Sequence, residues 1–343
     1  MNKTLIFAIS LSVIGILTQS LFSVQGGLYQ LGFVIFGLFL YFVITTFVDS
    51  TFLMNISRPL SIGGLISLII LLGFGDMTRG ARRWFFIGTF GLQPSMMFVP
   101  FFLLTLVMLL TILKPRKFGN VVRILLLAGI PLFLVFKQPD LGTALVLFAT
   151  LMAVLIAARM KARHLILLLL LAMPIVIMAP RFLKTYQKNR IISFLNPQYD
   201  QYGVNYNSFQ AEIAIGSGGI FGKGFLHSSQ SKLSFLPEAH TDFVFAAFTE
   251  TFGLFGDTIL LGIYFLFLRS LLQKSKAQQD NDLYTLYHIG IFAFILIQFI
   301  FNVGMNLRLL PVVGVPLPFI SYGGSSLLTI YVLLAIGEKL KEA

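Results

Sequence analysis

Long apolar runs, recurring from end to end, constrain this chain more than any other feature. A helix that crosses a bilayer needs about 20 mostly apolar residues. Ten segments meet or approach that length: 4–24, 27–48, 60–75, 95–113, 121–136, 141–158, 164–180, 242–268, 285–307 and 312–336. The third and the fifth to seventh are short. Hydrophobic residues make up 57% of the 343 and charged residues only 11%, against roughly 25% charged in a soluble domain. One soluble core could not hide so much apolar surface, so lipid must solvate part of it. The pattern predicts an all-α, polytopic membrane protein of about ten transmembrane helices. It forms a single domain over 1–343, with a long extracytoplasmic loop, 181–241, between helices seven and eight. The stretch from Thr4 to Val24 is too long for the apolar region of a cleaved signal peptide and is read as the first span.

The net charge of +12 suits anionic lipid or an anionic substrate. Nucleic acid is excluded as a partner because the charges lie in short runs between apolar stretches. Short-loop Lys and Arg favour the cytoplasm. With the N-terminus inside, fourteen of the 25 Lys and Arg fall in inner segments and six in the long loop. Only five fall in short outer loops: Arg79, Arg82, Arg83, Lys137 and Arg308. This places both termini in the cytoplasm and the long loop outside. There is no cysteine, which removes thiolate catalysis, disulfides and Cys-ligated metals.

Arg79, Arg82 and Arg83 stand beside the only tryptophan, Trp84. Such a cluster either anchors the chain at headgroup level or binds a phosphate-bearing lipid through guanidinium groups. Of 13 acidic residues, Asp76, Asp140, Asp200, Glu212, Glu238 and Asp242 map outside, while Glu250 and Asp257 fall within the eighth span. Ionisable groups inside spans are functional candidates by default; the alternative for Glu250 is a bond to a neighbouring helix. Asp242 follows Pro237 and a polar run and precedes a long apolar helix, so it sits at an outer helix N-terminus. It is either a cap or a general base at the water–lipid boundary, tuned by Glu238 and His240. Gly216 to Gly224, with Lys223, lacks the spacing of a nucleotide-binding loop and reads as a turn or a weak phosphate cradle. Three prolines and three glycines between Pro311 and Gly324 predict a broken helix lining a cavity.

Six motifs, in order, carry a resemblance to the SEDS family (shape, elongation, division and sporulation). They are GARRWF (80–85), LQPS (92–95), KQPDLGTA (137–144), AIGSGGIFGKG (214–224), PEAHTDFVFA (237–246) and PLPFISYGGSS (316–326). The glycine-rich motif is closer to the elongation branch than to the division branch. The resemblance implies a ten-helix peptidoglycan glycosyltransferase of the bacterial cytoplasmic membrane. Its implied substrate is lipid II, a disaccharide-peptide on undecaprenyl diphosphate. Its implied partners are a class B penicillin-binding protein transpeptidase and other elongation-complex proteins. It puts the catalytic aspartate at Asp242 and a second family aspartate at Asp140. The substrate-binding candidates are Arg82, Arg83, Lys137, Asp140, Lys223, Glu238, His240 and Ser321. No His, Asp and Glu set has zinc-like spacing, so the metal is unknown and a divalent cation stays open as a cofactor. A lipid II flippase and a non-catalytic scaffold are the alternatives from other classes.

The chain departs from the family pattern at four places. Met96 and Val99 replace a Glu and a Lys, Thr251 follows Glu250 where the family has a second Glu, and Arg308 occupies a glycine position. The missing Glu and Lys put one intramembrane ion pair in doubt.

Overall fold

The computed structural model describes residues 2–78, 81–87, 90–182, 185–196, 203, 205–227, 235–278 and 280–342. Helices α1 (Lys3–Phe22), α2 (Val24–Phe47) and α3 (Ser50–Phe74) lead into three short strands, β1 (Asp76–Thr78), β2 (Ala81–Ile87) and β3 (Phe90–Leu92). Then come α4 (Pro94–Ile112), α5 (Phe118–Lys137), α6 (Leu141–Ala157), α7 (Ala162–Phe182), α8 (Thr185–Leu195), α9 (Tyr206–Gly218) and the single turn α10 (Gly224–His227). The chain closes with α11 (Val244–Ala277), α12 (Asp282–Asn306) and α13 (Gly324–Lys339). Seven of these are long and apolar enough to cross a membrane.

Among the described residues these seven stand against the ten spans expected, and the other departures are local. The third span runs from Ser50 rather than residue 60. The three strands form an antiparallel sheet in the order β1-β2-β3, an element the apolar pattern does not disclose. The supposed loop 181–241 contains α8, α9 and α10. The tenth span is helical only from Gly324, and residues 311–323 before it are irregular, as the Pro and Gly content predicts. Met96 and Val99 are 2% and 1% exposed and pack in the main apolar core. At these positions an ion pair is replaced by hydrocarbon, which avoids its desolvation cost.

Both termini share one face. Asn2 Nδ2 donates to Glu338 Oε1 at 2.6 Å, and Lys274 at the end of α11 pairs with the same carboxylate. The N-terminal ends of α11 and α13, the C-terminal ends of α1 and α12, and the sheet lie on the opposite face.

Within α11, Gly253 is not helical (φ 65°, ψ −171°). A break in an apolar span orphans backbone groups, which must be satisfied by protein. The glycine-rich segment supplies the partners. Leu254 N donates to Gly219 O at 3.0 Å and Phe255 N to Ile220 O at 2.9 Å, while Lys223 N donates to Glu250 O at 2.9 Å. A side chain at Gly222 or Gly253 would meet backbone within 2.1 and 2.3 Å. The motif is therefore a backbone seam, not a phosphate cradle. Glu250, fully buried, pairs with Lys223 Nζ at 3.0 Å, a partner in the irregular glycine-rich segment rather than on a neighbouring helix.

Candidate active site

Irregular backbone at 311–323 raises the same accounting problem as the break in α11. Here side chains solve it. Asn302 Nδ2 donates to Val315 O at 2.8 Å, Gln30 Nε2 to Phe319 O at 3.2 Å, and Gln19 Nε2 to Ile320 O at 2.8 Å. The Tyr264 hydroxyl donates to Pro318 O. Four helices thus hold one irregular segment through polar groups placed inside apolar spans.

The turn that carries Glu238, His240 and Asp242 is bolted to this segment. Ser321 Oγ donates to Thr241 O at 2.6 Å and accepts from Leu317 N at 2.8 Å. Tyr322 N donates to His240 O at 2.8 Å, and Gln19 Nε2 reaches the same carbonyl at 3.1 Å. Glu238 adopts a positive φ of 58°, and its carboxylate accepts from Thr241 Oγ1 at 3.1 Å. The His240 ring packs edge-on to Phe22 and Tyr322.

Asp242 stands one residue before Phe243, the N-cap of α11. Capping is done from another helix: Asn306 Oδ1 accepts from Ala246 N at 3.0 Å. The carbonyl of Asp242 receives Asn302 Nδ2 at 3.1 Å and Asn306 Nδ2 at 3.0 Å. Its carboxylate faces Gly314, where an added methyl group would lie 3.4 Å from Oδ2. Asp242 is half-buried, in reach of solvent at the face where α11 begins.

Asp140 is different. It is 1% exposed and caps α6 by accepting from Thr143 N at 3.2 Å. It also accepts from Thr143 Oγ1 at 2.9 Å and Gln93 Nε2 at 3.1 Å, and Arg83 Nη1 stands 3.6 Å away. Arg83 Nη2 donates to Pro139 O at 2.7 Å. Arg83 is therefore a tie between β2 and the start of α6 rather than an open guanidinium.

Arg82 is exposed and donates through Nη1 to Leu72 O and Gly73 O, at 3.2 and 2.7 Å. Lys137 is exposed in the last turn of α5, its Nζ 5.4 Å from the Phe133 ring centroid. Lys223 is bound to the seam with Glu250 and not to the Asp242 turn. Arg79 and Asp200 lie outside the described residues. Among the described residues no three of His, Asp and Glu converge.

The α6 start and the Asp242 turn meet across one strand of backbone. Gly142 packs against Val313 O, and Gly314, the next residue, faces the Asp242 carboxylate. Asp242, Glu238, His240 and Ser321 thus form one group, with Asp140 and Arg83 behind the loop that borders it. The amides that hold the group together, from Gln19, Gln30, Asn302 and Asn306, carry no charge and so do not stand out as ionisable groups within apolar spans. Their signal is a carboxamide inside an apolar span, where polar side chains bond across helices.

The family model described as cell cycle protein, FtsW/RodA/SpoVE, matches residues 2–342. The peptidoglycan glycosyltransferase MrdB of Escherichia coli K12 is 38% identical over 272 residues, 78% of this chain and 72% of that protein. The probable peptidoglycan glycosyltransferase FtsW of Coxiella burnetii is 38% identical over 291 residues, 82% of this chain and 76% of that protein. Among solved structures, a chain from work on the structural coordination of polymerization and crosslinking by a peptidoglycan synthase complex aligns with a TM-score of 0.80. It is 28% identical and covers 98% of this chain and 95% of its own. The rod shape determining protein RodA of Thermus thermophilus aligns with a TM-score of 0.72 at 25% identity, covering 99% and 95%. The chain belongs to the FtsW/RodA/SpoVE family of cell cycle proteins, the SEDS family.

Proposed function

On the premise of that membership, we propose that this peptidoglycan glycosyltransferase polymerises lipid II at the outer face of the bacterial cytoplasmic membrane, with Asp242 as the general base. The proposal places both termini in the cytoplasm. The sugar 4-hydroxyl of the acceptor attacks the anomeric carbon of the donor. A C–O bond forms, the bond to undecaprenyl diphosphate breaks with its electron pair, and the proton passes to the Asp242 carboxylate. Attack opposite the leaving group inverts the anomeric centre. Positioned general base catalysis contributes roughly 10²–10⁴-fold.

The observation that carries this reading is the division of labour at Asp242. Asn306 caps the first turn of α11 and two asparagines hold the Asp242 carbonyl, which sets the carboxylate at the start of α11, facing Gly314. Arg82 and Lys137, exposed on the sheet and at the end of α5, are suited to offset charge on the leaving diphosphate. A carrier would place its key charges near the bilayer midplane, whereas Asp242 stands at a helix end. The proposed crosslinking partner is a class B penicillin-binding protein, alongside other elongation-complex proteins.

The test is polymer yield from lipid II for wild type and Asp242→Asn at matched concentrations of monodisperse protein. Asn keeps the size of Asp but takes no proton. The yield should fall at least about a hundredfold with the protein still folded. Yield within a few-fold of wild type would sink the base role.

A further inference from the structure

We infer that Asn302 and Asn306 are positioning residues for Asp242, fixing where its carboxylate can point. This rests on the base reading of Asp242. The two asparagines sit four apart on α12, hence on one helix face, and both are completely buried. Each donates an amide N–H to the carbonyl of Asp242, at 3.1 and 3.0 Å. Both lone pairs of that oxygen are thereby occupied, and the peptide plane after Asp242 is held from one side.

The same two side chains hold what lies around it. Asn306 Oδ1 takes the Ala246 N–H, so one carboxamide bridges the Asp242 carbonyl and the first turn of α11. Asn302 Nδ2 also reaches Val315 O at 2.8 Å, one residue after the Gly314 that faces the carboxylate. The base, the helix behind it and the wall before it are referenced to a single rigid helix. Asn306 is itself braced, its Nδ2 donating to Asn302 O at 2.8 Å.

Two roles have different chemical requirements. A cap for Ala246 needs only an acceptor, which a carboxylate supplies. Holding the Asp242 carbonyl needs a donor, which an ionised carboxylate lacks. Asn306→Asp therefore keeps the cap and removes the tether. A misplacement of about 1 Å at a reacting group can cost on the order of a hundredfold in rate.

The experiment measures kcat and KM for lipid II, and apparent Tm, of the purified full chain as wild type, Asn306→Asp, Asn302→Leu and Asp242→Asn. The expected result is a kcat lower by about ten- to a hundredfold in both asparagine variants. KM should stay within about twofold, since a transition-state interaction is lost and not substrate binding. Asn306→Asp puts a carboxylate at a fully buried position, so its Tm should fall, and kcat is compared per folded molecule. Wild-type kcat in Asn306→Asp, with Asp242→Asn inactive, overturns the positioning role and leaves the base role standing. Activity lost only in proportion to folded protein in both variants also overturns it. Near-wild-type polymerisation by Asp242→Asn removes the base reading and this inference with it.

Discussion

Asp140 and Asp242 lie on either side of the segment 313–315, and the protein treats them in opposite ways. At Asp140 the carboxylate itself is consumed. Its two oxygens meet Thr143 twice, Gln93 once and Arg83 across 3.6 Å, and the residue is sealed from solvent. At Asp242 the backbone is held, by Asn302 and Asn306, while the carboxylate faces a glycine at the protein's edge. Family resemblance marks both aspartates; the geometry makes Asp140 a joint between β2, α4 and α6, and the proposal above assigns the chemistry to Asp242.

The comparison breaks most easily at its ends. Asp242→Asn is expected to remove polymerisation, by at least about a hundredfold, with little change in apparent Tm. Asp140→Ala is expected to do the reverse. It strips the cap from α6 and leaves Arg83 and Gln93 without their acceptor, at a cost of about 3 kcal/mol, the lower end for breaking a buried pair because Arg83 is part-exposed. Apparent Tm should drop, and activity per folded molecule should survive. An Asp140→Ala protein with unchanged Tm and no polymer would put Asp140 in the chemistry and erase the distinction.

A smaller effect is expected at the shared segment. Gly314 has φ +68°, a conformation that costs a non-glycine residue about 1–2 kcal/mol. Gly314→Ala should lower apparent stability by that amount. It should lower kcat further than stability explains, because its methyl group enters the space before Asp242. Equal loss in both measures would show that Gly314 serves only the loop.

Much of this was legible in the residues. Apolar length predicts the spans, and the prolines and glycines of 311–323 announce broken helix. Asp242 is placed at a helix start by Pro237 and Phe243. Other features leave no pattern of that kind. The sheet at 76–92 has strands of three, seven and three residues, too short for apolar alternation to register, and Arg82 and Arg83 interrupt it. The helices within 181–241 are short and polar enough to read as loop. Lys223 suggests phosphate in the sequence because its partner, Glu250, is 27 residues away and becomes adjacent only through the seam at Gly253. The roles of Gln19, Gln30, Asn302 and Asn306 depend on which carbonyls an irregular segment leaves open, which is a tertiary fact.

The smallest effect is expected two residues beyond Asn306, and it tests whether this face tolerates change that leaves the tether intact. Arg308 occupies a family glycine position, and the structure supplies the reason for glycine there: its φ is +56°. A non-glycine residue pays about 1–2 kcal/mol for that conformation. Against this, Arg308 Nη1 lies 2.5 Å from Glu212 Oε2 and ties the turn to α9. Glu212 is largely exposed, and such surface pairs contribute about 0.2–1 kcal/mol. Arg308→Gly removes both effects, which oppose one another, and glycine adds unfolded-chain entropy of about 0.4–1 kcal/mol on the destabilising side. The balance is close to zero, so apparent Tm and polymer yield should both stay near wild type. Arg308→Ala loses the ion pair and keeps the strained φ, so it should be the less stable of the two. If Arg308→Gly instead cuts kcat tenfold at constant Tm, the arginine touches substrate. The boundary of the site would then move outward from Asp242 to include the turn that follows α12.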